Sequence, residues 1–372
     1  MPTATQPFKR TPTAPSAVDS AAPTPIPDDV QHSIHKRTLA VLMAGHNLRR
    51  LNKMYQAFEG DLLLPIVLGE IGLHYLHTLI AETDATSDTA RPATGATRSG
   101  AVYAYRSSKL GDATSLPRET ARRKAMQLVA LGWLRPVTPG TVALTERSFE
   151  YFGFDFNREM LDDFLWTAER MREVLAFETI ERRQVDLRAE FALALATRTE
   201  EHGARRFSTG FTPPPAKPGE RLSEILLCVA ATLVGYWVRH LHRIRVAFGG
   251  DLLLPLLLGE VAHYNIGSLM YRGDAGLATL DLLFTDAERS QHLLAEIFRP
   301  CNAHSLALVT GVPDSSVRRK LATLVERGWL AMLPDRTYFV TPRPAVEFES
   351  LNLATLHDFL ETEARLRKLL SD

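Results

Sequence analysis

The chain has 372 residues, 45% of them hydrophobic and 23% charged, which is ordinary for a globular protein and long for one typical domain, so two domains are expected. Its 43 lysines and arginines are balanced by 43 aspartates and glutamates; no global basic field draws it to nucleic acid, and any such contact must come from a local patch. Two cysteines, Cys228 and Cys301, with no CxxC spacing and no Cys/His cluster, argue against a disulfide framework or structural zinc and suit a reducing cytoplasm.

Residues 1–30, rich in Pro, Ala and Thr, lack the continuous apolar core of a signal peptide and read as a disordered tail. The first half, residues 31–207, contains "GDLLLPIVLGE" (Gly60 to Glu70), where a helix is expected to begin near Pro65, with Asp61 capping it. Residues 82–100 read as a flexible insertion. A short helix with Leu110 and Ala113 facing inward, a corner at Ser115-Leu116-Pro117 and the basic helix "ARRKAMQLVALGWL" (Ala121 to Leu134) follow. A Pro-Gly turn between β-prone residues in "LRPVTPGTVALT" then predicts a two-stranded wing, and "NREMLDDFLWTAERMREVL" (Asn157 to Leu175) a long helix.

A Pro- and Gly-rich linker over residues 208–220 separates this from the second half, 221–372. The most apolar run, Ile225 to Val238, is shorter than the roughly 20 residues a bilayer requires and is expected to be a buried helix. "GDLLLPLLLGE" (Gly250 to Glu260) repeats the earlier motif at nine of eleven positions, 190 residues on. "DAERSQHLLAEIF" (Asp286 to Phe298) has helical spacing. Leu306 and Val309, the corner Gly311-Val312-Pro313, the basic helix "VRRKLATLVERGWL" (Val317 to Leu330), the wing "LAMLPDRTYFVT" and the long helix "NLATLHDFLETEARLRKLL" (Asn352 to Leu370) complete a second set in the same order. The expectation is a whole-domain duplication.

On a helical wheel Ala121, Ala125 and Leu128 share a face, as do Val317, Leu321 and Leu324, which leaves the Arg-Arg-Lys runs and nearby hydroxyls outward. Short helix, tight corner, basic helix and wing together resemble the winged helix-turn-helix transcription regulators, particularly the GntR-type and MarR-type groups. "TGVPDSSVRRKLATLVERGWL" fits that pattern closely, and "TSLPRETARRKAMQLVALGWL" fits with Ser115 in the usual place of glycine. The resemblance covers roughly sixty residues of each half and implies a mainly α fold with tandem winged domains, long flanking helices and short wings.

The resemblance implies base-reading roles for Arg118, Thr120, Arg122 and Arg123, and for Ser315, Ser316, Arg318 and Arg319, with Lys124 and Lys320 beside them on the same DNA-binding helices. Ser107, Ser108 and Lys109, with His304 and Ser305, would meet phosphate, and Arg336 at a wing tip the minor groove. Because Asp314 stands where the first half has Arg118, the half-sites read by the two copies are expected to differ.

Trp133 and Trp329 are expected to pack rather than stack on nucleic acid. Glu260 and His263 have the spacing of a helical metal-ligand pair, but the first half offers Glu70 and His74, one residue too far, so a structural histidine is expected. His240 and His242 are expected to cap or flank the apolar helix. No GxSxG, P-loop or Rossmann glycine pattern occurs, and neither enzymatic activity nor a cofactor is expected.

The expected function is therefore a cytoplasmic, sequence-specific regulator that binds double-stranded DNA as a fused pseudo-dimer, with no membrane association. The alternatives are a replication initiator with paired winged helices and a winged-helix scaffold for protein partners. The long terminal helices, through Leu161, Phe164 and Leu165 with Leu356, Phe359 and Leu360, either pack the halves together or mediate homo-oligomer formation. Operator, effector and direction of regulation are not encoded legibly.

Overall fold

The computed structural model describes residues 36–87, 104–149, 151, 157–182, 224–270 and 299–371. The expected tail, the linker, most of the 82–100 insertion and the helix over 286–298 lie outside the described residues. The described chain is mostly helical, with two small antiparallel sheets.

The first half begins with α1 (Lys36–Ala57) and α2 (Leu63–Ser87), joined at the Gly60-Asp61 corner. Asp61 accepts the backbone N–H of Leu63 at 3.1 Å, so Pro65 falls in the first turn, where its missing N–H is harmless. β1 (Tyr105–Arg106), a 3-10 turn over Ser107–Lys109, α3 (Leu110–Thr114) and α4 (Arg118–Ala130) follow, then the hairpin β2 (Leu134–Thr138) and β3 (Thr141–Leu144), and α5 (Asn157–Arg182). β1 pairs with β3, giving a three-stranded sheet in the order β1-β3-β2.

The second half contains α6 (Glu224–Ala247), α7 (Leu253–Met270), α8 (Ala303–Thr310), α9 (Asp314–Glu326), the hairpin β4 (Leu330–Met332) and β5 (Tyr338–Val340), and α10 (Glu349–Ser371). Asp251 caps α7 through Leu253 N–H at 3.2 Å, as Asp61 caps α2. Cys301 forms a lone bridge to Tyr338 where the first half has β1. Asn265, buried in α7, accepts the N–H of Val340 at 2.8 Å and so ties that helix to the wing.

The recurrent Gly-Trp-Leu has a local cause. Gly132 and Gly328 hold φ of 76° and 70°, a left-handed conformation that costs glycine little. The chain can then turn back so that Trp133 N–H reaches Leu128 O and Trp329 N–H reaches Leu324 O, both at 2.9 Å, in the Schellman arrangement that closes a helix. Each indole is buried against a phenylalanine, Phe58 at 5.5 Å and Phe248 at 5.4 Å between centroids, and the leucine opens the wing. Both tryptophans are packing residues, as expected.

The halves share one continuous core, and several of the contacts between them come in reciprocal pairs. α2 packs on α6 and α7 on α1; α5 packs on α6 and α10 on α1. Asn52 Nδ2 donates to Glu260 at 3.1 Å, while Glu70 meets His242 Nε2 at 3.1 Å. Gly69 lies so close to Val238 that a Cβ would come within 2.7 Å of it, and Gly259 stands in the same relation to Leu48 at 2.9 Å. Each of these partners is 190 residues from its counterpart, so residue i touches j and the equivalent of j touches the equivalent of i, the pattern of an isologous interface.

This packing accounts for the length of α6. α2 and α6 each contain a stretch long and apolar enough to cross a membrane, yet here they lie against one another. α6 continues past the apolar run because its polar residues find partners in the assembly: Arg239 and Arg243 reach Asp358, both at 2.6 Å. His240 and His242 therefore sit inside the helix and neither cap nor flank it. His240 is buried and parallel to the Tyr236 ring, and His242 faces the other half.

At the centre, His46 donates Nδ1–H to Asp163 at 2.7 Å, beside Arg49 and Arg50. Burial drives the His46 pKa down and keeps the ring neutral, against the opposing pull of Asp163. Burial alone would raise the Asp163 carboxyl, but the His46 hydrogen bond and the Arg49 guanidinium hold it well below the usual carboxylate range.

Candidate nucleic-acid interface

Each half also presents a head, a helix-corner-helix unit followed by a wing. In each, a short helix meets a longer one at a corner: α3 with α4 through Ser115 (φ 50°), and α8 with α9 through Gly311 (φ 73°). Both long helices start immediately after a proline, Pro117 or Pro313, and both bury the expected face: Ala121, Ala125 and Leu128 in one, Val317, Leu321 and Leu324 in the other. Leu110 and Leu306 are buried under the corners as expected. Ala113 is only half-buried, and Val309 is 59% exposed. The Asn302 cap starts α8 at Ala303, so its inward face runs through Ala303, Leu306 and Thr310 and leaves Val309 outside.

In the first head, the start of α4, the 3-10 turn and the wing tip enclose an open groove of about 460 Å³, lined among others by Arg106, Ser107, Ser108, Arg118, Arg122 and Gly140. Ser107 N–H bonds to Gly140 O at 2.9 Å, which ties the turn to the wing tip. The structure thus brings together Ser107, Ser108, Arg118 and Arg122, and adds Arg106, which sequence reasoning passed over because it lies upstream of the corner. Only the pairing of β1 with β3 carries Arg106 to the wing. Lys109 is exposed at the end of the turn, and Thr120 is half-buried on α4. Arg118 is solvent-exposed, 3.9 Å from Asp112.

The arginines of the double-basic runs are not alike. Arg122 is 61% exposed and held by Glu119 through Nε at 2.9 Å and Nη2 at 2.8 Å. Arg318 is held by Asp314 through Nε at 2.6 Å. The hydrogen bond and charge of Arg122 keep the Glu119 carboxyl below its ordinary pKa, so the acid is ionised at neutral pH. Arg123 and Arg319 are exposed and carry no ion pair among the described residues.

Lys124 and Lys320 depart from the expected surface. Lys124 is 12% exposed and paired with Asp61, and Lys320 is 19% exposed and paired with Asp251. The third cation of each Arg-Arg-Lys run therefore points back to the helix corner that caps α2 or α7, because Lys124 and Lys320 lie on the wheel between the outward arginines and the core face. The "GDLLLP" motif and the basic helix are thus two ends of one contact.

In the second head His304, Ser305 and Ser315 are exposed and Ser316 is half-buried. Ser305 donates its backbone N–H to the Asn302 cap at 2.8 Å. Arg336 is exposed at the wing turn, in a left-handed conformation with φ 63°. Arg245 of α6 donates to Ser115 O at 3.0 Å, so the first head's corner is held by a helix of the second half.

Glu260 and His263 serve the interface between halves. Glu260 accepts from Asn52, and His263 lies over Gly45, where a Cβ would come within 2.8 Å of Nε2. No group of three or more metal-ligating side chains occurs among the described residues.

Residues 292–334 match the family model of the IclR helix-turn-helix domain. The matched span contains α8 and α9 and ends in the second wing; it does not extend to the first half, and the matching domain is neither of the two groups that the sequence resembles. It indicates a DNA-binding transcription regulator. No curated protein and no solved structure matches the chain.

Proposed function

We propose that this chain is a sequence-specific transcription regulator whose two halves each carry a winged reading head, fused so that one chain does the work of a homodimer. The observation that carries the reading is the reciprocal pair Asn52–Glu260 and Glu70–His242, both at 3.1 Å. Interfaces of that kind relate two copies by a two-fold axis, as in the dimeric regulators that read two half-sites. The likeness of the heads supports it further, from the left-handed corner to the closing Gly-Trp and the Asp–Lys clamp.

In this reading Arg118, Thr120, Arg122 and Arg123 on α4 and Ser315, Ser316, Arg318 and Arg319 on α9 face the major groove. Ser107, Ser108, Lys109 and Arg106 hold phosphate in one head, His304 and Ser305 in the other, and Arg336 approaches the minor groove. Lys124 and Lys320 are left out, their charge being satisfied inside the fold. DNA is the partner and the cytoplasm the location.

The test is a footprint on genomic fragments selected by the full chain. One chain should protect two half-sites about 10 to 10.5 base pairs apart or at a multiple of that spacing. Inserting five base pairs between them should abolish high-affinity binding, and inserting ten should restore part of it. Affinity that survives the five-pair insertion would mean that the heads bind independently.

A further inference from the structure

The acid–arginine pairs on the two reading helices have a common geometry that the proposed function leaves unexplained. Glu119 takes Nε and Nη2 of Arg122. Asp314 takes Nε of Arg318 at 2.6 Å, with Nη2 at 3.4 Å. In both heads a carboxylate occupies the same side edge of the guanidinium. The arginines are equivalent, 196 residues apart, but the acids are not: one lies three residues before its arginine, the other four.

Helix-end electrostatics favours an acid anywhere in the first turn and does not require two different positions to converge on one arginine edge. Stability is no better an explanation, since exposed ion pairs of this kind contribute little. What the arrangement achieves is orientation. A guanidinium held along Nε and Nη2 keeps Nη1 and the outer N–H of Nη2 free, and that end fork matches O6 and N7 of guanine. A held fork also loses less freedom on binding than a mobile one.

We infer that Glu119 and Asp314 are specificity-determining positioning residues, each splinting Arg122 or Arg318 so that its end fork reads a guanine, one in each half-site. The inference rests on the DNA-binding reading of these helices. It divides the neighbouring cations by role: a phosphate at Arg122 or Arg318 would have to compete with the carboxylate, whereas Arg123 and Arg319, unpaired among the described residues, suit the backbone.

The test uses the full chain, a selected site and a panel of that site with each base pair replaced in turn. For the wild type, replacing one particular guanine in each half-site should weaken binding on the order of tenfold to a hundredfold. Glu119→Ala should compress that penalty to about threefold in one half-site only, and Asp314→Ala in the other. In each, the released arginine should steepen the salt dependence by up to about 0.9 in slope as it moves to phosphate. The double variant Arg118→Asp/Glu119→Ser transplants the second head's splint into the first, and should restore the guanine penalty even though overall affinity falls. Arg118 and Glu119 are exposed and the Asp314 side chain is 43% exposed, so nearly unchanged thermal unfolding is expected and serves as the folding control. Guanine penalties that stay the same in both alanine variants would overturn the inference while leaving the regulator reading intact. A wild-type chain that selects no site would overturn the regulator reading itself.

Discussion

Phe164 and Phe359 stack face to face with ring centroids 3.9 Å apart and planes 13° from parallel, one contributed by each half of the chain. They are equivalent positions of the two long helices α5 and α10, and both are fully buried. Around them stand His46, edge-on to Phe164 at 5.2 Å and to Phe359 at 5.6 Å, and Tyr236, edge-on at 5.3 Å and 5.7 Å. His46 and Tyr236 are again equivalents, 190 residues apart, so the stack lies where the two halves meet most symmetrically.

Replacing either phenylalanine by alanine should therefore cost about 3 to 5 kcal/mol, the range for a large buried aromatic. The two losses should not add: urea unfolding of both single variants and the double variant should yield a coupling of about 0.5 to 1.5 kcal/mol for the stacked pair. Strict additivity would mean that the rings contribute only by filling space.

Lys124→Met and Lys320→Met should each destabilise the chain by about 1 to 3 kcal/mol, less than the loss from breaking a fully buried pair, because each leaves a partly buried aspartate without its cation. Neither change should alter the salt dependence of DNA binding, whereas removing Arg123 and Arg319 together should lower its slope by roughly 0.9 for each phosphate that is no longer neutralised. A lowered slope in the lysine variants would restore them to the DNA surface.

The corner of the first head is strained where that of the second is not. Ser115 holds φ 50° and ψ 32°, a region that L side chains enter at a cost, while Gly311 occupies the same place freely. Ser115→Gly should raise stability by up to about 1 kcal/mol and Gly311→Ala should lower it by at least as much, both read from the midpoint of chemical unfolding.

Acid should weaken the fold well before its carboxylates are protonated. Burial, with Arg243 nearby, pushes His240 down to about 3, and burial, with Arg49 nearby, pushes His263 down to about 4. Below about pH 6.5 the unfolded chain binds protons at these sites that the folded chain does not. Their contribution is thus complete above that pH, and stability falls by about 1.4 kcal/mol per pH unit for each histidine as pH drops toward their folded values. Asp163 and Asp358, held below the ordinary range, keep contributing until lower pH. His240→Phe, which preserves a ring against Tyr236 and Trp237, should remove one histidine's share of the slope between pH 6.5 and 5. An unchanged slope would mean that His240 is protonated inside the fold.

Much of each head was legible in the sequence because its determinants are local. A proline start, a left-handed corner, three inward residues at helical spacing and a Gly-Trp closure act within about twenty residues of one another. The buried triplets Ala121-Ala125-Leu128 and Val317-Leu321-Leu324 emerged correctly for that reason, as did the caps at Asp61 and Asp251. Phe164 and Phe359 were legible as apolar positions of the two long helices, but their periodicity alone left open whether those helices meet within the chain or between chains, and the stack shows that these two rings meet within it.

Tertiary structure decided what the same residue types do once distant elements meet. Lys124 resembles its arginine neighbours in sequence, but α4 packs on α2, and that brings Asp61 within reach of it alone. Arg106 carries no motif; strand pairing carries it to the groove. His240 and His242 stand two apart on one helix, yet one is buried beside Tyr236 and the other meets a glutamate of the opposite half, because α6 is enclosed on several sides. Periodicity specifies which face of a helix is apolar, but the partner of each polar group depends on elements that meet from tens to well over a hundred residues apart, and no local pattern encodes them.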